Sequence, residues 1–254
     1  MKIFILTLSN QIYATIVLRE LVAAKYDIVG IGGSKTFRFD KSLCQRARKT
    51  ITQSGFRYLS LRLVEQLHNK YLQLKDAYFC SVSRFARLNG IPVYFAADVN
   101  APSFTQKVAS LEPDIILSIY FDQIIKRDLV TLPRYGCINV HRALLPKYRG
   151  PNSAFWQLAN GESRSGVTIH YIDEGTDTGD IISQQEYEIT SDETHHSLCL
   201  KNAHVTARLL PEVLKRIEAG SALRIPQRES EATTFPFPTR EATRAFLKQG
   251  RKMF

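Results

Sequence analysis

Asn139 and His141 stand two residues apart in Cys137-Ile138-Asn139-Val140-His141, alternating with apolar neighbours. In an extended chain, side chains two apart share a face, so an amide and an imidazole sit side by side while Ile138 and Val140 fill the other side. An amide N–H can donate to an oxygen that is gaining negative charge, and an imidazole with an unperturbed pKa of ~6.5 can take and return a proton near neutral pH. The pair leads into Arg142-Ala143-Leu144-Leu145-Pro146-Lys147-Tyr148-Arg149-Gly150-Pro151. That loop leaves the C-terminal end of a strand, the edge where open α/β sheets hold ligands. A second polar stretch, Asp173-Glu174-Gly175-Thr176-Asp177-Thr178-Gly179-Asp180, lies between the apolar runs Gly166 to Ile172 and Ile181-Ile182. It can bring a carboxylate to the same edge. Taken singly, a strand histidine is more often a packed structural residue and an Asp-Gly loop more often a plain turn. Chemistry requires that they converge.

The rest of the chain reads as the scaffold for that convergence. Lys2 to Thr7 is a short apolar strand, Ile12 to Ala24 carries apolar residues at helical spacing, and Asp27 to Gly33 is a second strand ending in glycines. Gly30-Ile31-Gly32-Gly33 follows the second strand and lacks the GxGxxG spacing of the first strand-to-helix turn, so it is no dinucleotide fingerprint. Phe37 to Leu88 is mostly helical and basic, Gly90 to Phe95 is a strand, and Ser103 to Leu111 a helix. Pro113 to Tyr120 has the unbroken apolar character of a central strand buried on both faces, and a short helix spans Lys126 to Val130. A later helix places Leu198, Val205, Leu209, Val213 and Ile217 on one face, and Pro211 should kink or divide it. Strands alternating with helices give an α/β fold with a mostly parallel sheet. Thr239 to Phe254 closes the chain as a basic helix, with Phe246 and Phe254 docking it or facing a partner subunit.

Four segments, Cys137 to His141, Leu144 to Gly150, Gly166 to His170 and Asp177 to Asp180, together resemble in order and spacing the catalytic domain of the folate-dependent formyltransferases. That family includes methionyl-tRNA, glycinamide ribonucleotide and sugar-nucleotide N-formyltransferases. The match runs from about Asp114 to Ile182. The resemblance implies a Rossmann-like three-layer α/β sandwich and 10-formyltetrahydrofolate as the formyl donor, with no metal. It places catalytic roles on Asn139, His141 and Asp177, and a folate pocket at Phe121, Asp122, Gln123 and Ile124 with Leu145, Pro146, Asp173 and Gly175. Transfer of a formyl group to an amine passes through a tetrahedral species. Asn139 and a protonated His141 would donate to its oxyanion, and His141 would shuttle the proton, with Asp177 orienting the ring and favouring its charged form. The other histidines, His68, His170, His195, His196 and His204, have no partners at ligand spacing and read as structural or exposed.

Composition sets the limits. A chain of 254 residues with 44% hydrophobic and 23% charged residues suits one large domain or one with an appendage. The division expected is a catalytic domain over 1–220, with a basic helical insertion at about 35–88, and a C-terminal extended segment and short helix over 221–254. No apolar run reaches the ~18 residues of a membrane span and the start is too short for a signal peptide, so a cytoplasmic protein with no membrane partner is expected. Cys44, Cys80, Cys137 and Cys199 lie far apart and read as free thiols. Of the net charge of +10, much lies between Lys35 and Lys75, where ten Lys or Arg face two acids. Such a stretch is either an anionic contact, which would cap the acceptor cleft, or a solvated helical face, and the solvated face is preferred. Arg142-Ala143 replaces the family's usual Pro-Ser, so a cation should border the site. Too few residues follow Asp180 for the barrel that holds tRNA. The expected acceptor is therefore the primary amine of a small anionic molecule such as a nucleotide-linked amino sugar. Methionyl-tRNA, or a non-catalytic folate- or RNA-binding role, is the alternative; nucleic acid is not favoured, and a homodimer is possible.

Overall fold

The structure is a computed structural model that describes residues 1–34 and 43–254, with side chains from residue 47 onward in the second stretch. Lys35, Arg38, Asp40 and Lys41 of the basic stretch lie outside the described residues, as do the side chains of Cys44 and Arg46. One sheet is built from β1 (Lys2–Leu6), β2 (Asp27–Ser34), β3 (Val93–Ala96), β4 (Ile115–Ile119), β5 (Cys137–His141), β6 (Arg164–Tyr171) and β7 (Ile181–Glu188), in the order β3-β2-β1-β4-β5-β6-β7. The helices are α1 (Ile12–Ala23), α2 (Leu43–Lys75), α3 (Val82–Leu88), α4 (Pro102–Ala109), α5 (Arg127–Val130), α6 (Ser153–Ala159), α7 (His195–Glu218) and α8 (Arg240–Lys248). Pairing is parallel from β3 through β5 and antiparallel from β5 to β6 and β6 to β7.

Strand alternation divides the core into two apolar layers. Ile3, Ile5, Ile115, Leu117, Ile119, Ile138 and Val140 pack with Ile12, Ile16, Leu210 and Val213 of α1 and α7. Phe4, Leu6, Ile116 and Cys137 pack on the other face with Phe104, Val108 and Leu129 of α4 and α5. Helices on both faces make three layers, and full burial of each large aliphatic side chain contributes roughly 1.5–3 kcal/mol. β4, fourth of seven strands, is buried at every position, as its unbroken apolar run requires.

Two expectations change. The glycines of Gly30-Ile31-Gly32-Gly33 do not end β2, which continues to Ser34. A Cβ on Gly32 would come within 2.7 Å of the Phe4 and Phe104 rings, so this glycine makes room for an aromatic layer rather than for a phosphate. α7 runs through Pro211 as a single helix, and Tyr26 Oη donates to the Pro211 carbonyl. Its start is fixed by a capping box between Thr194 and Ser197. At the C-terminus, Phe246 is buried and stacks on Phe155 at 4.7 Å, while the Phe254 ring lies 4.3 Å from His68. Both aromatics dock the tail onto the same chain.

Candidate active site

β5 delivers Asn139 and His141 to one face, and the antiparallel register with β6 sets His170 opposite Asn139 and Thr168 opposite His141. Asp177, on the loop between β6 and β7, closes the cluster. Its Oδ1 accepts from Asn139 Nδ2 at 3.3 Å and lies 3.6 Å from His170 Nε2. Its Oδ2 accepts from the Gly150 N–H at 2.8 Å and lies 3.4 Å from His141 Nδ1. One carboxylate thus touches three polar side chains and a backbone donor from four places in the chain.

Fixed acceptors settle which nitrogens carry protons. His141 Nε2 meets the Tyr148 carbonyl at 2.8 Å and must donate to it, leaving the lone pair of the neutral ring on Nδ1. His170 Nδ1 likewise donates to the Tyr171 carbonyl at 2.8 Å, so Nε2 accepts from Asn139 Nδ2 at 3.1 Å. Both hydrogens of the Asn139 amide therefore point inward, to His170 and Asp177, rather than outward as expected of an oxyanion donor. Burial lowers the His141 pKa below its ordinary value and outweighs the opposing pull of Asp177. Asp177 favours the charged ring, as the resemblance implies, but not enough to offset burial, so the neutral form of His141 is the preferred one near neutral pH. Burial would raise the Asp177 carboxyl, but the neighbouring His141 and His170 rings and the Gly150 N–H together hold it well below the usual carboxylate range.

The loop geometry is held from the C-terminal segment. Gly150 has φ +96°, and a Cβ there would lie 2.3 Å from the Phe235 carbonyl oxygen, so only glycine fits. Tyr148 and Asp177 also adopt left-handed conformations, at φ 61° and 55°. Such positions cost about 1–3 kcal/mol and persist only where neighbours over-determine them. Those neighbours are explicit. Gln227 Nε2 donates to the carbonyls of Asp177 and Gly179, each at 2.8 Å, and its Oε1 accepts from Arg149. Arg149 also forms a two-pronged pair with Glu229 at 3.0 and 2.7 Å.

The residues expected to hold folate are distributed unevenly. Ile124 is 68% exposed and, with Ile125, Lys126, Arg127, Val130, Thr131, Asp173 and Glu174, lines a cleft of about 440 Å³. That cleft joins the two expected segments and ends on the loop that carries Asp177. Asp173 Oδ1 accepts from the Gly175 N–H and from Thr178 Oγ1, which shapes this loop. Asp122 accepts from Ser34 Oγ, and Phe121 packs against the α4–α5 core. The Gln123 amide is committed to the Val99 N–H and the Ala97 carbonyl, so it braces the neighbouring loop. Leu145 is buried, and the carbonyls of Leu145 and Pro146 accept from Gln184 and the Thr233 N–H. Among the described residues no cluster of His, Cys, Asp or Glu could hold a metal ion.

Three placements depart from the sequence expectations. His170, read as structural or exposed, lies inside the cluster. The alternation Gly166-Val167-Thr168-Ile169-His170 puts it on one face with Thr168, but the β5–β6 register that selects the face is not written locally. Arg142 does not border the cleft; its Nη1 donates to Cys199 Sγ at 3.3 Å and its guanidinium lies 4.9 Å from the centre of the Tyr120 ring. The described part of the basic stretch does not cap the site. Tyr58 contacts Asn152 and Phe155, and Glu65 faces His195.

A family model described as formyl transferase matches residues 42–214. Among solved structures, WlaRD, a sugar 3N-formyl transferase crystallised in the presence of dTDP and 5-N-formyl-THF, is 21% identical. That match covers 98% of this chain and 80% of WlaRD, with a TM-score of 0.63. The N-formyltransferase from Helicobacter canadensis, in complex with folinic acid and dTDP-3-aminofucose, is 20% identical over 99% of this chain and 83% of its own, with a TM-score of 0.63. Phosphoribosylglycinamide formyltransferase from Bacillus halodurans is 18% identical over 85% of this chain and 95% of its own, at 0.61.

Proposed function

The chain belongs to the formyl transferase family, and on that premise we propose that it moves the formyl group of 10-formyltetrahydrofolate to a primary amine of a small anionic acceptor, such as an amino sugar carried on a nucleotide. One cluster carries the assignment: Asp177 bonded to Asn139 and Gly150 and facing a neutral His141. The cleft that ends on the loop carrying Asp177 combines apolar Ile124, Ile125 and Val130 with the carboxylates of Asp173 and Glu174, which suits a flat ring bearing N–H donors. Lys126 and Arg127 on the same wall suit an anionic tail. The bound folate supplies an activated formyl carbon; the protein supplies proton handling and charge stabilisation.

An amine that attacks a formyl carbon must lose a proton, and the departing nitrogen must gain one. His141 Nδ1, with its lone pair free, can take the first proton, and the imidazolium so formed faces Asp177 Oδ2 at 3.4 Å. Asp177 therefore does little for the resting ring and most for the charged one, the differential that lowers a barrier. The same Nδ1 proton can then pass to the leaving nitrogen. The Asn139 Nδ2 bond to Asp177 is long at 3.3 Å, and it is the contact this amide can exchange for an oxygen gaining charge. His170, with Nε2 fixed as an acceptor, keeps that amide from rotating.

The test is turnover with 10-formyltetrahydrofolate and a panel of amines (nucleotide-linked amino sugars, glycinamide ribonucleotide, methionyl-tRNA), following tetrahydrofolate release and formylated product by mass spectrometry. Formylation of a nucleotide-linked amino sugar, abolished in His141→Ala, is expected. Folate binding with no amine consumed would overturn the transferase assignment, and turnover with methionyl-tRNA alone would overturn the small-acceptor part.

A further inference from the structure

α2 changes direction at Gly55, with φ 85° and ψ 165°, and then continues as a helix to Lys75. From Phe56 onward one face is buried: Tyr58, on the Phe155 ring, and Glu65, against Arg62 and His195. At about 100° per residue, Phe56, Leu63, Leu67 and Leu74 all lie within about 20° of the direction opposite Glu65. The residues aimed most directly at water are thus aliphatic or aromatic. Leu74 is 81% exposed, Phe56 71% and Leu67 68%, and Val64 and Tyr71 widen the stripe. A contiguous stripe of this kind marks an interaction surface, whereas single exposed leucines mark nothing.

Charge selects the occupant. Arg57, Lys70 and Lys75 are exposed beside the stripe, with Arg48 and Lys49 on the turns before Gly55. The only acid between Leu43 and Lys75 is Glu65, which is buried. The first acid beyond the helix, Asp76, accepts from the Tyr78 N–H. A second copy laid on this face would set cations against cations with no exposed acid on the helix to pair them, on a chain of net charge +10. A nucleic acid would use the cations and leave the leucines in water. An apolar stripe rimmed by Lys and Arg, with tyrosine at its edge, fits an interface that is negatively charged outside and apolar beneath.

We propose that α2 from Phe56 to Lys75 docks on the surface of an anionic lipid bilayer, lying in the plane of the headgroups. Phe56, Leu63, Leu67 and Leu74 enter the acyl boundary, and Arg57, Lys70 and Lys75 meet lipid phosphates. No helix among the described residues is long and apolar enough to cross a membrane, so the contact is peripheral. It replaces the solvated face expected for this stretch and is independent of the formyl-transfer assignment.

Flotation of the full chain with vesicles tests it, using phosphatidylcholine alone and phosphatidylcholine containing about one third phosphatidylglycerol. The expected result is binding to the anionic vesicles that falls at least tenfold on neutral vesicles or in high salt. Lys70→Gln and Lys75→Gln should each weaken it about five-fold, and the double variant Leu63→Glu/Leu67→Glu should abolish it with the circular dichroism spectrum unchanged. Leu74→Ser, at the most exposed position, is the second variant should the double one unfold, and a loss of several-fold is expected. Absence of binding to anionic vesicles, or binding that survives the stripe substitutions, overturns the proposal. So does sedimentation showing a dimer that Leu67→Glu splits, which would assign the stripe to a second copy.

Discussion

His141 and His195 are both buried imidazoles with a carboxylate oxygen 3.4 Å from Nδ1, Asp177 in one case and Glu65 in the other, yet their pKa values move in opposite directions. The difference lies at the second nitrogen. His141 Nε2 donates to the uncharged Tyr148 carbonyl, and burial wins. His195 Nε2 faces Cys199 Sγ at 3.8 Å, and Arg142 Nη1 donates to that sulfur. Burial lowers His195 as well, but Cys199 and Glu65 overcome it and push its pKa up to about 9. Burial raises the Cys199 thiol, and His195 and Arg142 more than offset that. His195 Nδ1 has no hydrogen-bond acceptor in line, so its approach to Glu65 is an ion pair. One carboxylate leaves a buried histidine neutral; a carboxylate together with a cysteine whose thiol pKa is lowered keeps it charged. His141 and Arg142 are consecutive, so the end of β5 sends one side chain to each cluster.

Breaking the site half should have the largest effect. His141→Ala is expected to lower kcat by roughly 100-fold to 10,000-fold, whereas His195→Gln leaves kcat within a few-fold and lowers stability; steady-state kinetics on both, with urea unfolding, checks the contrast. Gly150→Ala places a Cβ against the Phe235 carbonyl at a left-handed φ and should cost roughly 3 kcal/mol, read as a shift in the urea midpoint. Cys199→Ala should cost about 1–3 kcal/mol near neutral pH by removing the sulfur that Arg142 Nη1 and His195 Nε2 face.

The pH dependences sharpen the contrast further. A raised His195 pKa stabilises the fold below its unfolded value of about 6.5, and that stabilisation is lost as pH rises through about 9. The lowered Cys199 thiol has the opposite pH sense, so the stability advantage of wild type over Cys199→Ala should fall only as pH rises through about 9, where His195 gives up its proton, read in urea titrations. His141, lowered in the fold, acts in reverse: its protonation as pH falls below about 6.5 works against folding. Because its neutral form is the base, the acid limb of kcat/KM should fall below pH 6.5. A limb above pH 7 would mean that Asp177 outweighs burial.

The legible parts of the molecule were those written in local pattern. Ile115 to Ile119 announced a fully buried strand, and the period of two in Cys137 to His141 announced an amide beside an imidazole. Contacts between distant segments were not written that way. His170 enters the cluster through a register chosen by two strands, and Gln227 reaches Asp177 from fifty residues away. Arg142 looked like a site cation because chain adjacency to His141 does not say which face a residue takes after a strand ends. The basic stretch showed cations but not that Leu63, Leu67 and Leu74 face water, since helical spacing fixes a stripe without saying which stripe is packed.

The most direct test of the central claim, that a neutral His141 with Nδ1 free is the proton acceptor, is a titration of the ring nitrogens by NMR on imidazole-labelled protein, assigned with His141→Asn and His195→Asn. His141 should show the Nε2–H tautomer at pH 7 and titrate below 6.5, while His195 stays doubly protonated until about pH 9. A charged His141 at pH 7, or a proton on Nδ1 of the neutral ring, would contradict it.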